Sequence, residues 1–330
     1  MKTIKNNRID EFKEIIHAAT KAPSGHNTQP WNFKIIETGI EIHPDLSHEL
    51  SVVDPNNREL YISIGCALEN LLVAANRFHY DYSYEVLEEN TNYFIKVDLV
   101  KSKSEKTDPL FSYIDLRQTN RSEYNKQYVP EKTIKELLDI DKEEKINIYS
   151  FKRGDAYFNT IKDYILEGNN IQMNDPGFKS ELLEWIRFNA KDVLRNKDGL
   201  TYKVMGAPSL PKFIGKPIVR SFLNAKNQNK NDVRKINSSS HFIVFTTKSN
   251  TVPNWISLGI TLERFLLSAT KKRIANAYLN PPCEIETLAN HLKESLPINQ
   301  EYPNIIIRIG YAVESVAFSP RKDIETLIYN

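Results

Sequence analysis

Nine consecutive residues, Pro23-Ser-Gly-His-Asn27-Thr-Gln29-Pro30-Trp31, concentrate hydroxyl, imidazole and amide groups in one loop. Ser24, Asn27, Gln29 and the backbone freed around Pro23 and Gly25 can offer donors and acceptors to the edge of a planar heterocycle. The same residues also read as a polar turn closed by a buried tryptophan. A second run, Arg117-Gln118-Thr119-Asn-Arg121, places two guanidinium groups and a hydroxyl at i, i+2 and i+4. In an extended segment these share a face, and arginine forks suit phosphate. Taken alone, the run is equally a solvated basic face. Ser319-Pro-Arg321 could bring a third guanidinium from near the C-terminus, though by itself it is an ordinary charged loop.

Several other chemistries lack a signature. The sequence has no P-loop, Gly-rich dinucleotide fingerprint, Ser-His-Asp order or paired-carboxylate motif. Its seven histidines are scattered, and Cys66 and Cys283 make neither a disulfide framework nor a zinc cluster. A net charge of +2 over 330 residues argues against a nucleic-acid footprint. The N-terminus lacks the apolar run of a signal peptide, and no apolar stretch approaches the ~18 residues that span a bilayer. The expectation is a cytoplasmic protein with no nucleic-acid or membrane partner.

The elements that must position these groups follow from periodicity and breakers. A short amphipathic helix over 10–20 (Phe12, Ile15, Ile16, Ala19) stops at Ala22-Pro23-Ser24-Gly25. Residues 33–36 and 40–42 predict a hairpin, and 80–87 and 93–100 two further strands. Short helices are expected near 109–117 and 130–140, and buried strands at 241–246 and 304–309. The tract 151–235 reads as an insertion with a helix around Leu182–Ile186 and turns from Gly199 to Pro211, and its polar end, 224–237, as a surface loop. An insertion of this length is the kind that covers a site.

One segment occurs twice. Ile62-Ser-Ile-Gly65-Cys-Ala-Leu-Glu69-Asn-Leu-Leu-Val-Ala-Ala75 and Ile256-Ser-Leu-Gly259-Ile-Thr-Leu-Glu263-Arg-Phe-Leu-Leu-Ser-Ala269 agree at seven of fourteen positions at an offset of 194 residues. Each copy has helical apolar spacing and a mid-helix glycine that costs about 1 kcal/mol relative to alanine. A cost incurred twice at one place predicts close helix packing. The chain then divides into halves at 1–105 and 106–330, the second carrying the insertion about 151–235.

At these residues the chain resembles the FMN-dependent nitroreductase superfamily. Residues 23–31 look like its Pro-Ser-x-x-Asn-x-Gln-Pro-Trp loop, and Arg117 to Arg121 with Tyr124 and Val129-Pro130 look like its opening arginine motif. Gly310-Tyr311 and Ser319-Pro-Arg321 look like its closing segment. Arrangement of loop and arginine motif in different halves is similar to the fused, two-repeat Acg-like branch, as are Asp54–Leu60, Leu279–Glu284 and Tyr302–Gly310. The resemblance implies an α+β fold: a duplicated nitroreductase-like architecture, mixed sheets flanked by helices, a pseudo-two-fold monomer and a lid-like insertion. It implies one FMN per chain, held by Pro23, Ser24, Gly25, Asn27, Gln29, Arg117, Gln118, Thr119, Arg121, Asn280, Pro281, Ser319 and Arg321. Within that set Arg117, Thr119 and Arg321 would hold phosphate and ribityl oxygens. Arg121 would stabilise charge at the flavin N1/O2 edge, while Pro281 lacks the N–H that family members turn towards N5. No metal is implied. Two functions follow: an NAD(P)H-dependent reductase passing electrons to a nitro compound, quinone or similar small acceptor, or a protein that sequesters FMN beneath a cover.

Overall fold

The computed structural model describes residues 2–103 and 107–329. In chain order, α1 (Lys2–Ala19) leads through the 23–31 loop to β1 (Trp31–Ile35) and β2 (Gly39–Pro44), then α2 (Arg58–Arg77) and the hairpin β3 (Tyr80–Glu89) and β4 (Asn92–Lys101). After the arginine run come α3 (Glu131–Leu138), β5 (Ile146–Lys152), α4 (Ala156–Asn174), α5 (Pro176–Glu184), β6 (Ile186–Arg187), α6 (Ala190–Asn196), β7 (Leu200–Thr201), α7 (Lys212–Phe222) and α8 (Ala225–Ser238). The chain ends with β8 (His241–Thr247), α9 (Val252–Lys271), β9 (Ala275–Tyr278), α10 (Pro281–Glu284), α11 (Glu286–Ser295), β10 (Tyr302–Gly310) and β11 (Ile328–Tyr329).

Two mixed or antiparallel sheets, ordered β11-β1-β2-β4-β3 and β5-β8-β10-β9, accompany a central pair of helices, giving the expected α+β fold. These helices, α2 and α9, are the two copies of the repeat and are buried along most of their length. They cross at their glycines. A Cβ on Gly65 would lie 2.1 Å from the Ile256 carbonyl oxygen, and one on Gly259 would lie 2.1 Å from that of Ile62. The contact is reciprocal, since Ile62 and Ile256 are matched positions of the repeat. Both helix backbones approach where only hydrogen fits, which accounts for a residue that otherwise weakens a helix.

Several sequence expectations change. The first helix begins well before residue 10, and the helix expected near 109–117 is reduced to a 3-10 turn, Phe111–Tyr113. The tract 224–237 is α8 rather than a loop. Asn224 caps it by accepting from the Asn227 N–H at 3.0 Å, and polar contacts to α4, such as Asn169 Nδ2 to Asp232 Oδ2 at 2.9 Å, hold it in place of an apolar stripe. Residues 151–152 end β5, paired to β8, so the inserted elements follow the core strand. The division after residue 105 falls on 104–106, outside the described residues. The two-residue β11 pairs in parallel with β1 (Phe33 opposite Ile328), returning the C-terminal segment to the first sheet.

Candidate functional site

The 23–31 loop begins where α1 ends and adopts an unusual backbone: His26, Asn27 and Gln29 all have left-handed φ (48°, 58° and 54°). Non-glycine residues rarely do so, and three together persist only when their surroundings hold them. Two distant segments supply the restraint. Asn27 Nδ2 donates to the carbonyls of Gly199 (3.3 Å) and Pro320 (3.2 Å), while Gly199 N–H donates to the Asn27 carbonyl (3.2 Å). Gln29 Nε2 donates to the Lys197 carbonyl at 2.9 Å, and its Oε1 accepts from Lys322 N–H at 2.9 Å. Insertion and C-terminus therefore fasten the loop from two sides.

Beside it lie two adjoining cavities of about 280 Å³ each, with Pro23, Ser24, Arg121, Leu200 and Tyr278 in the walls of both. Gly25, Asn280 and Pro281 line the first; Asn27, Arg117, Gln118, Thr119, Ser319 and Arg321 line the second. The site residues read from the sequence thus converge from both ends of the chain, with one exception. Gln29 is fully buried and reaches neither cavity, because both ends of its amide are used to fasten backbone. Its amide shapes the loop by fastening backbone on both sides.

The arginines also divide their work. Buried Arg117 is paired with the Glu263 carboxylate (Nε to Oε1, 3.2 Å) and donates to the Lys21 carbonyl at 2.6 Å. Arg321 donates to the carbonyls of Thr20, Lys21, Ala22, Ser319 and Pro320 and to Asn27 Oδ1. Its donors are turned to protein oxygens, so it locks the loop and adds positive potential at the wall of the second cavity. Burial, with Arg117 beside it, pushes Arg321 down to about 9. Arg121 has no carboxylate at ion-pair distance among the described residues and faces both cavities, leaving its fork free.

Asn280 lines the first cavity but is held on both ends: Nδ2 donates to Glu59, and Oδ1 accepts from Ile306 N–H at 3.1 Å. Its neighbour Pro281 opens α10 and has no N–H to present. Two wall residues escaped the sequence reading. Glu59 on α2 and Glu284 on α10 are largely enclosed neighbouring carboxyls in the wall of the first cavity, and Gln172 of α4 donates to Glu284. Burial raises both above the ordinary carboxylate range. They lie 225 residues apart in sequence, so no spacing could reveal them, although each falls inside a segment resembling the Acg-like branch. Tyr278, also unforeseen, stands in both walls.

With this geometry in view, the likeness to known proteins is consistent across the chain. The nitroreductase family model matches residues 9–52, which include the 23–31 loop. A protein of Mycobacterium tuberculosis (strain ATCC 25618 / H37Rv), Rv3131, provisionally named an NAD(P)H nitroreductase, is 21% identical over 329 residues, covering 97% of this chain and 91% of its own. Among solved structures, the FMN-dependent nitroreductase NfnB of Mycobacterium smegmatis, in complex with NADPH, covers 65% of this chain and 94% of its own at 13% identity and a TM-score of 0.43. A nitroreductase with bound FMN from Desulfitobacterium hafniense DCB-2 covers 68% and 100% at 11% identity and a TM-score of 0.41. The family and whole-chain matches bear out the resemblance to nitroreductases.

Proposed function

We propose that the chain is an FMN-dependent oxidoreductase of nitroreductase type, with one flavin spanning the two cavities. One observation carries the reading: the second cavity is lined by Lys21, Arg117, Arg121 and Arg321, and once Lys21 is paired with Asp115 and Arg117 with Glu263, the guanidinium groups of Arg121 and Arg321 are left in excess. An excess of positive charge converging on one cavity is costly, and a phosphate dianion would relieve it. The first cavity, with Ile62, Met173 and Leu262 beside Ser24, His26 and Asn280, suits a planar ring with polar edges.

FMN, when bound, supplies hydride and electron-transfer chemistry. The protein binds and orients. Arg321 and Asn27 keep the loop in its left-handed backbone, Arg117 and Thr119 flank the phosphate end, and Arg121 favours negative charge at the N1/O2 edge. Glu59 and Glu284, both raised above the ordinary carboxylate range, place two adjacent carboxyls in the wall of the first cavity. The donor in this reading is NADH or NADPH, and the acceptor a nitro compound, quinone or similar small molecule. The reciprocal Gly65–Gly259 crossing supports a fused pair of half-size units that needs no second chain.

Anaerobic reductive titration of the purified protein tests this. One FMN per chain, reduced by NADH or NADPH and reoxidised by a nitroaromatic compound, is the expected outcome. Two flavins per chain, or failure to take up FMN, would overturn the proposal. A second reading, flavin sequestration, is favoured by the insertion's large share of the first wall, including Gln172, Met173, Phe178, Leu182 and Leu200. Reduction by dithionite but by neither nucleotide would select it. Deleting 180–215 is a poor probe of such a cover, because Lys197 and Gly199 anchor the loop; Leu182→Ala opens the wall and spares those anchors.

A further inference from the structure

The outer face of the insertion carries a feature unrelated to either cavity. Helix α7 packs inward through Gly215, set against the Phe188 ring, and Val219. At 100° per residue, Phe213, Ile214, Pro217 and Ile218 form a broad stripe on the opposite side. This stripe is in the open: Phe213 is 79% exposed, Ile214 41% and Ile218 42%, and Phe222 at the helix end is 66% exposed. Lys212, Lys216 and Arg220 form a single row between the apolar stripe and the buried face, and the helix has no acidic residue.

The surrounding segment has the same character. Residues 188–226 contain eight lysines and arginines against two aspartates, in a chain whose net charge is only +2. Those aspartates are engaged: Asp192 accepts from the Phe188 N–H and Asp198 pairs with Arg187. Leu194 on α6 (73%) and Met205 (37%) are also exposed, so this segment holds six of the seventeen exposed large hydrophobics among the described residues. Asn189 Nδ2, bonded to the Leu210 carbonyl at 3.2 Å, ties the start of α6 to the approach to α7.

We infer that α7 and its flanks are a docking surface for an anionic lipid bilayer. A surface helix with exposed phenylalanines, bordered by cations and free of acids, matches the interfacial amphipathic class. Excess positive charge selects an anionic surface, and a bilayer accepts an exposed apolar stripe on a helix without a shaped partner groove. None of the described helices is long and apolar enough to cross a membrane; lying on one requires only this face. The contact would leave the cavity walls on the other side of the insertion in place.

Co-sedimentation of the full chain with vesicles of equal parts phosphatidylglycerol and phosphatidylcholine, and with phosphatidylcholine alone, tests the inference. The protein should bind the anionic vesicles at low salt, release at high salt, and ignore the neutral ones. Phe213→Ser with Phe222→Ser should weaken binding at least tenfold, and Phe213→Leu with Phe222→Leu should preserve it. Replacing Lys212, Lys216 and Arg220 by glutamine should weaken it roughly a hundredfold. No binding to anionic vesicles at low salt would overturn the inference. So would binding indifferent to the phenylalanine and cation changes, or a dimer in sedimentation velocity that depends on Phe213 and leaves the vesicles unbound.

Discussion

Glu69 and Glu263 occupy matched positions of the repeat, both fully buried beside the helix crossing, yet their surroundings have opposite charge. Glu69 is met by Arg264 at 2.7 Å, and Asp108 lies 3.7 Å from the same guanidinium, so this side holds two carboxylates for one cation. Glu263 is met by Arg117 at 3.2 Å with Arg321 nearby, so that side holds two cations for one carboxylate. One repeat position contributes to the exchange: the residue after Glu263 is Arg264, which faces Glu69, whereas the residue after Glu69 is Asn70, which stands by Glu263; Arg117, Arg321 and Asp108 come from outside the repeat. Their titration reflects the difference. Burial opposes the charge of Arg264, but Glu69 and Asp108 outweigh it and hold it above the ordinary value; Arg321 is pushed down. Only the cationic side borders the two large cavities. Two matched helices thus gather an excess of cations on one side of their crossing and an excess of carboxylates on the other.

Where the two copies are alike, substitutions should act alike, and the largest effects belong there. Gly65→Ala and Gly259→Ala each drive a methyl group to within 2.1 Å of a carbonyl oxygen on the facing helix. Separating two buried helices should cost about 3 kcal/mol or more in either variant. Urea denaturation of both proteins checks this; a near-neutral result for one of them would show that the crossing is not the reciprocal contact described.

Where the copies differ, the responses should part. Arg321→Ala should weaken FMN retention by about 1.5–3 kcal/mol, roughly ten- to a hundredfold, by removing positive charge and the lock on the loop. Arg264→Asn removes a comparably placed arginine from the other side. It should destabilise the fold by about 3 kcal/mol through stranding Glu69, while FMN affinity stays within a few-fold. Equilibrium dialysis with FMN, alongside urea melts, separates the effects. Equal losses of FMN in both variants would mean that the charge imbalance has nothing to do with the ligand.

The sequence made legible what depends on unusual residue types. A glycine twice inside an apolar helix announced the crossing, and clustered amide and guanidinium groups announced the walls of the cavities. It hid what depends on distant pairing. Helix α8 is held by Asp232 and Asn229 against α4, so its sequence has no apolar stripe to read. Glu59 and Glu284 meet only after folding. Gln29 belongs to the recognisable loop, yet nothing local shows that Lys197 and Lys322 consume its amide, and β11, two residues long, has no period at all.

The smallest effect concerns His26, which also senses the cationic side. Burial, with the charge of Arg121 as the second cause, pushes its imidazole down to about 4 from an ordinary 6.5. The folded protein therefore binds this proton less readily than the unfolded chain does. The stabilisation is complete above pH 6.5 and is lost as pH falls through 4. Its size should be about 1–2 kcal/mol once partial exposure is allowed for. Glu59 and Glu284, held above the usual carboxylate range, act in the opposite sense: they stabilise at low pH and lose that contribution as pH rises through their folded values. The contribution of His26 must therefore be isolated by difference. Asparagine tolerates the left-handed backbone at this position, so His26→Asn should lose less stability than the unmodified, FMN-free protein between pH 6.5 and 4, with the two converging in their relative change above it. If stability profiles of the FMN-free proteins run parallel through that range, His26 does not titrate against Arg121.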